Sequence, residues 1–356
     1  MASRQRAREL GIALGSLPLG EWNAITDVAG ISVGHTTLVE GDSVRTGVTV
    51  VLPGEEPLFA GAHRLNGNGE LTGLEWVRES GMLTTPVGLT NTHSVGVVRD
   101  AIVAAARAAR GRSGAWSLPV VGETWDGVLN DVDGMHVRPE HVTAALEDAS
   151  AGPVAEGNVG GGTGMICHGF KGGIGTSSRV VEEADGAVVG VLVQANYGRR
   201  WRLRVDGVPV GEEIPVGDVP APGAPAGAGG GSIIGLVATD APLLPGQCER
   251  LAQRAGLGVA RMGGVGEDSS GDLFLAFSTG NRGLGDPAGP VPLRMLPNER
   301  MTPLFDAVVE ATEEAIVNAL CAAETMTGRD GATAHALPLE RLAALLGPRV
   351  QKPGAT

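Results

Sequence analysis

An α+β layered fold is what the 356-residue sequence predicts. Three observations predict it. Short runs rich in β-branched residues recur along the chain. Longer segments with helical periodicity lie between them. The two kinds do not alternate in the regular strand–helix order of a doubly wound parallel sheet.

In chain order, the β-branched runs 31–39, 47–52 and 86–91 read as strands, followed by helical periodicity over 95–110, closed by Gly111. A second helix is predicted over 139–149. Strands follow at 187–196 and 201–210. The run 216–231 is nearly all Pro, Ala, Gly and Val, with Asp218 its only charge, and it divides a large N-terminal piece from a smaller C-terminal one. The smaller piece opens with Ser232-Ile233-Ile234-Gly235-Leu236-Val237-Ala238-Thr239, a strand apolar enough to be buried between layers. The break is therefore read as a loop or a cut inside one fold, not a boundary between independent domains. Helices over 244–255 and 303–326, the latter closed by Gly328, flank a last strand at 272–279. The tail after Leu346 reads as disordered, and no internal repeat is found.

Apolar residues make up 42% of the chain, ample for a core, while 57 glycines and 3% aromatics imply tight turns around Val, Leu, Ile and Ala. A net charge of −13 argues against nucleic acid or an anionic membrane as the main partner, because both need basic patches. Cys167, Cys248 and Cys321 are odd in number and far apart, so no disulfide framework is indicated. The basic N-terminus has no apolar stretch after it and makes a poor signal peptide. No apolar run is long enough to span a bilayer. The expectation is a soluble, cytoplasmic protein.

The junction Gly229-Gly230-Gly231-Ser232 is the most informative short segment. Alone, it reads as a linker. Yet glycines let the backbone bend so that the Ser232 hydroxyl reaches the Gly231 carbonyl carbon. Attack there gives an ester, and its hydrolysis leaves Ser232 with a hydroxyl and a free α-amine. Such an amine has a pKa of about 7.7–8.0 and can act as base for its own hydroxyl.

Other motifs carry bland readings beside chemical ones. Gly157-Asn158-Val159-Gly160-Gly161-Gly162-Thr163-Gly164 and Gly172-Gly173-Ile174-Gly175 match no phosphate-binding pattern and read as a tight loop, with amides that could serve an oxyanion. His136 and His141 lack metal-ligand spacing, so no metal site or cofactor is expected. Gly30-Ile31-Ser32-Val33-Gly34 matches a nucleophile elbow in letters only, since its serine sits in a continuing strand. Ser270 and Asp272 fall on one face if a strand begins there and form either a proton relay or a polar turn. Asn196, at a strand end, is an oxyanion donor or a turn residue. Glu123-Thr124-Trp125-Asp126 is placed in a loop with Asn130-Asp131, where its carboxylates either grip a substrate ammonium or make a solvated turn.

Together these blocks resemble the L-aminopeptidase/D-amidase-esterase (DmpA-like) and β-peptidyl aminopeptidase family. The resemblance runs from about Arg6 to Gly331. It rests on Asn23-Ala24-Ile25-Thr26-Asp27-Val28-Ala29-Gly30, Arg45-Thr46-Gly47-Val48-Thr49, Leu65-Asn66-Gly67-Asn68-Gly69-Glu70 and Thr90-Asn91-Thr92-His93-Ser94. It continues through Val121-Gly122-Glu123-Thr124, the glycine cluster, Gln194-Ala195-Asn196, Gly231-Ser232-Ile233-Ile234 and Ala323-Glu324-Thr325-Met326-Thr327-Gly328.

The resemblance implies a four-layer αββα sandwich forming one catalytic domain over 1–356, cut into chains 1–231 and 232–356, and a homo-oligomer, tetrameric by analogy. It implies Ser232 as nucleophile, Gly231 as the residue before the cut, Ser270 and Asp272 as supporting groups, and Asn196 in the oxyanion hole. Glu123, Trp125 and Asp126 are the candidate substrate contacts. The family often has tyrosine where this chain has Trp125, whose indole only donates, so a phenolic proton transfer has no counterpart here. The expected reaction is hydrolysis at the N-terminal residue of short peptides, amino-acid amides or esters. Two rivals stand beside it. One is acyl transfer of the ornithine acetyltransferase type, which uses a threonine nucleophile. The other is a non-catalytic binding protein with a flexible linker at 216–231.

Overall fold

The computed structural model describes residues 4–54, 56–110, 116–223, 231–285 and 288–347. The first pair of strands, β1 (Ser32–Glu40) and β2 (Val44–Leu52), forms an antiparallel hairpin. Next come β3 (Leu58–Gly67), α1 (Leu74–Ser80), β4 (Met82–Leu83) and β5 (Val87–Asn91). Helix α2 (Val95–Arg110), strand β6 (Val120–Thr124) and α3 (Pro139–Asp148) follow. A small ladder of β7 (Ile166–Cys167) and β8 (Phe170–Lys171) precedes the long antiparallel pair β9 (Gly173–Val181) and β10 (Ala187–Tyr197). After the short helix α4 (Val210–Glu213) come β11 (Gly231–Thr239), α5 (Pro245–Arg261), β12 (Gly271–Ser278) and α6 (Thr302–Ala322). The described chain ends with β13 (Met326–Thr327), β14 (Thr333–Ala334) and α7 (Leu339–Leu346).

These elements stack in four layers, αββα. One sheet has the order β1-β2-β5-β6, the other β4-β3-β12-β11-β10-β9. Val51, Leu89, Val120, Leu192, Ile234, Leu236 and Leu275 fill the space between the sheets. On the outer face of the larger sheet, Val191, Val193, Ile233, Val237 and Phe274 pack on Leu251, Ala255, Val308, Ala315 and Ile316 of α5 and α6. On the smaller sheet, Val48, Val50 and Val121 pack on Val98, Ile102, Val142 and Ala145 of α2 and α3. Alternation along each strand thus decides which layer a side chain joins. Among the described residues, no helix is long and apolar enough to cross a membrane.

Several expectations need correction. Residues 201–210 do not form a strand. The chain makes a 3-10 turn at Arg200–Arg202 and then reverses at Asp206 and Gly207, both at positive φ, so that Val205 pairs back onto Val208. Asp-Gly is a hairpin-turn dipeptide, and it breaks the apparent alternation. The helix expected over 303–326 stops at Ala322. There the Asn158 carboxamide grips Glu324 through both its backbone N–H and its carbonyl, holding the chain extended. Glu123 and Thr124 end strand β6, parallel to β5, instead of lying in a loop. Gly173, Ile174 and Gly175 open β9; a Cβ on Gly175 would lie 1.9 Å from the Ala315 carbonyl oxygen, so the glycine lets α6 sit against the sheet. The residue expected to close α2, Gly111, residues 224–230 of the run 216–231, and the tail beyond Gly347 lie outside the described residues.

Candidate active site

Ser232 is the second residue of β11, and the pairing sets its neighbours. Antiparallel β10 places Asn196 directly opposite Ser232, while parallel β12 places Asp272 beside Ile233. Ser232, Asn196, Ser270 and Asp272 are 1–6% exposed. The Ser232 hydroxyl oxygen accepts the Gly271 amide at 3.0 Å. The Ser270 hydroxyl donates to Asp272 Oδ1 at 2.6 Å. Burial raises the Asp272 pKa, opposed by that hydroxyl and by the Ile233 backbone.

The two pairs sit on opposite faces of the sheet. Ile234 belongs to the layer between the sheets, so Ser232, two residues earlier, points the same way. Gln194 also faces that layer, reaching the Thr90 carbonyl and the Thr124 hydroxyl, and Asn196 follows its parity. Asp272 instead shares the parity of Phe274, which packs under α5 and α6. The Ser270–Asp272 pair therefore lies on the face of the larger sheet that packs on α5 and α6, opposite the Ser232 side chain, and the Ile233 backbone hydrogen-bonds Asp272.

The Asn196 carboxamide is fixed at both ends. Its Oδ1 accepts the Ile166 amide at 2.8 Å, and its Nδ2 donates to the Trp125 carbonyl at 2.9 Å. A carboxamide nitrogen has two N–H groups, and the bond to the Trp125 carbonyl uses one of them.

Glu123 closes another side of this region. Its Oε1 accepts the Glu70 amide at 2.9 Å, and its Oε2 accepts the Thr92 hydroxyl. Burial pushes its pKa up, with both hydrogen bonds pulling it back. A Cβ on Gly69 would lie 3.0 Å from Gly271 Cα and 3.2 Å from Glu123 Oε1. Glu123 and the Gly271–Ser232 contact thus flank one glycine. Beyond it opens a cleft of about 440 Å³ whose lining includes Leu71, Trp76, Leu118 and Leu273. Asp126 is fully buried, with Oδ1 on the Asn130 side chain at 3.1 Å, and burial raises its pKa to about 6. The Trp125 ring lies against Gly127, and the two carboxylates have different partners: Asp126 turns to Asn130, Glu123 to Glu70 and Thr92.

His136 pairs with Asp131 at 3.2 Å, and His141 accepts the Arg138 amide at the start of α3. Among the described residues, no three His, Cys, Asp or Glu side chains gather to hold a metal. Sequence reasoning passed over Thr92, Ile166 and Lys171 as individual participants. Lys171 carried a signal: it and Lys352 are the only lysines among 27 basic residues.

Comparison with known proteins shows which family the chain belongs to. The model of peptidase family S58 matches residues 23–334. A β-peptidyl aminopeptidase BapA from Sphingosinicella microcystinivorans is 50% identical, over 97% of this chain and 92% of its own. The BapA of Sphingosinicella xenopeptidilytica is 47% identical, over 97% and 91%. Among solved structures, a Burkholderia sp. β-aminopeptidase superposes with TM-score 0.90 at 55% identity, over 96% of this chain and 98% of its own. The L-aminopeptidase D-Ala-esterase/amidase of Ochrobactrum anthropi, described as a prototype serine aminopeptidase with a variant of the Ntn hydrolase fold, gives 0.88 at 43% identity over the same shares. The chain belongs to peptidase family S58 and is a serine-type aminopeptidase of the N-terminal-nucleophile hydrolase fold.

Proposed function

We propose that the chain cuts itself between Gly231 and Ser232, and that the freed Ser232 removes the N-terminal residue from short peptides, amino-acid amides or esters. One observation carries this reading. The Ser232 hydroxyl oxygen accepts the amide of Gly271, which lies between Ser270 and Asp272, while Asn196 lies directly opposite Ser232 on the paired strand.

In self-cleavage, the Ser232 oxygen attacks the Gly231 carbonyl carbon, the C–N bond breaks and its nitrogen takes the hydroxyl proton. Water then hydrolyses the ester, leaving a Gly231 carboxylate and a Ser232 with free amine and hydroxyl. In turnover, that amine takes the hydroxyl proton as the oxygen attacks the substrate carbonyl carbon, and returns it to the leaving nitrogen, or oxygen in an ester. Water then hydrolyses the acyl-Ser232 ester and frees the enzyme. Asp272, through Ser270, holds the amine in position. Asn196 donates its remaining N–H to the developing oxyanion. Glu123 binds the substrate ammonium, which offsets the cost of keeping this carboxylate buried. Trp125 shapes the pocket and Asp126 supports it from behind. The relatives named β-aminopeptidases make substrates with N-terminal β-amino acids part of the test set.

The same reading places the protein in a reducing cytoplasm, consistent with three unpaired, buried cysteines, and as a homo-oligomer, tetrameric by analogy. Light scattering on the purified protein reads the assembly directly.

The deciding experiment is denaturing intact-mass spectrometry of wild type and Ser232→Ala, with release of p-nitroaniline from α- and β-aminoacyl anilides measured in parallel. Wild type gives masses for 1–231 and 232–356; the variant gives one uncut mass and no turnover. An uncut but active wild type, or an active Ser232→Ala, overturns the mechanism.

A further inference from the structure

Lys171 lies in β8, and its side chain is 0% exposed. Its Nζ donates to the carbonyl oxygens of Met165 at 2.8 Å, Gly172 at 2.8 Å and Gly162 at 3.2 Å. Three acceptors use every donor of an ammonium group. Among its described hydrogen-bond and salt-bridge partners there is no carboxylate. Burial lowers its pKa to about 7, yet only the protonated form satisfies all three carbonyls.

The residue type is informative. Every other internal basic residue in this chain is arginine, and the one other lysine is Lys352 near the C-terminus. Arginine presents a flat fork of donors, whereas lysine presents three donors on a single point. Carbonyls converging on one point require the latter.

Two of the three carbonyls belong to the glycine loop 160–165, whose start is held by the Thr37 and Thr49 hydroxyls on the Gly160 and Gly161 amides. The next residue after the loop is Ile166, whose amide donates to Asn196 Oδ1. That bond and the Nδ2 donation to the Trp125 carbonyl together fix which end of the carboxamide is which. Without the Ile166 amide one of the two anchors is lost, and the group is freer to turn over and offer an oxygen to the developing negative charge.

We propose that Lys171 is a positioning residue for the reaction: by tying down loop 160–165 it holds the Ile166 amide on Asn196 and so keeps the oxyanion donor the right way round. The inference rests on the assignment of Asn196 made above.

The test is a double-mutant cycle on the self-cleaved enzyme, with rates normalised to the cleaved fraction. Lys171→Met and Lys171→Arg are each expected to lower kcat by about 10²-fold, the scale of losing one oxyanion donor, with KM changed less than about twofold. Arginine does not rescue, because the geometry and not the charge is required. Combined with Asn196→Ala, either variant adds no further loss. Independent, multiplicative losses, or full activity in Lys171→Arg, overturn the proposal while leaving Asn196 in place. An Asn196→Ala enzyme with unchanged kcat overturns the oxyanion assignment and this inference with it. If neither Lys171 variant folds, Ile166→Pro decides. It removes the same amide donor with Lys171 intact, and it must reproduce the kcat loss and the non-additivity; failure to do so counts against the proposal.

Discussion

Gly231 has φ +86°, and a Cβ placed there would lie 2.0 Å from the Asn196 carbonyl oxygen. Conformation alone would cost an alanine roughly 1–2 kcal/mol, and the clash adds displacement of the residue whose carbonyl Ser232 must attack. Gly231→Ala is expected to slow self-cleavage at least about tenfold, read as the uncut fraction over time; a wild-type rate would mean that this backbone geometry is not required. Asp272 makes a second prediction through its charge. Burial raises its pKa from the ordinary aspartate value, and in the proposed mechanism the ionised form is the one that holds the amine. Activity is therefore present above that raised pKa and is lost as pH falls through it, at higher pH than an ordinary carboxylate near 3.9 would give. Asp272→Asn keeps an acceptor for Ser270 but cannot ionise. It should lower kcat/KM by about 10²-fold or more and erase this acid limb from the pH profile; survival of the limb would assign it to another group. Ser232, Ser270, Asp272 and Asn196 were legible in sequence only as candidates, each with a bland reading beside it, and the family resemblance alone gives them roles. The bonds that hold Asn196 and Glu123 were not legible, since Ile166, Thr92 and Glu70 reach them from other strands and loops, and only pairing across the sheets shows which hydroxyl or amide arrives.

Among elements, the contact of β9 with α6 depends on a buried charge network. Arg179 donates to Glu310 at 3.1 Å and Glu314 at 2.8 Å, and Arg8 meets Glu314 from the N-terminal segment at 2.6 Å. Burial alone would raise the Glu314 pKa, but Arg179, Arg8 and the Asn23 amide hold it below the usual carboxylate range. A depressed folded-state pKa gives stability that is present above the unfolded value, near 4.3, and lost as pH falls through the folded one. Arg179→Met leaves buried glutamates undercompensated and should cost about 3–5 kcal/mol at neutral pH, measured by urea unfolding. The deficit should shrink in acid as Glu314 protonates. A loss below about 1 kcal/mol at pH 7.5 would mean that Arg8 alone satisfies the helix. The elements that sequence located well, β1, β10, β11 and β12, are marked by runs rich in β-branched and apolar residues, and β10, β11 and β12 are buried along almost their whole length. The glycines opening β9 hide a strand because its close fit to α6 removes the side chains that would mark it. The run through Val205 and Val208 shows the opposite error, alternation without extension, because Asp206 and Gly207 turn the chain.

At the scale of the whole molecule, the proposed cut divides the sequence without dividing the core. The larger sheet runs β4-β3-β12-β11-β10-β9, so the 232–356 piece supplies two strands flanked on both sides by strands of the 1–231 piece. Ile233, Ile234, Leu236, Val237 and Ala238 of β11 are each fully buried, and large side chains of this kind contribute about 1.5–3 kcal/mol apiece. Removing β11 and β12 would leave β3 and β10 with unpaired edges and strip one face from both inner layers. The two chains should therefore unfold as one unit although no peptide bond joins them. The sequence offers separate probes: all five tryptophans, Trp22, Trp76, Trp116, Trp125 and Trp201, lie in 1–231, while the long helices α5 and α6 lie in 232–356. Urea titration of the cleaved protein, followed by tryptophan fluorescence and by far-ultraviolet circular dichroism, should give coincident midpoints. The 1–231 chain expressed alone should fail to reach a native fluorescence spectrum. Two separated transitions, or a cooperatively folded 1–231 fragment, would show that the pieces are independent domains joined by an ordinary linker.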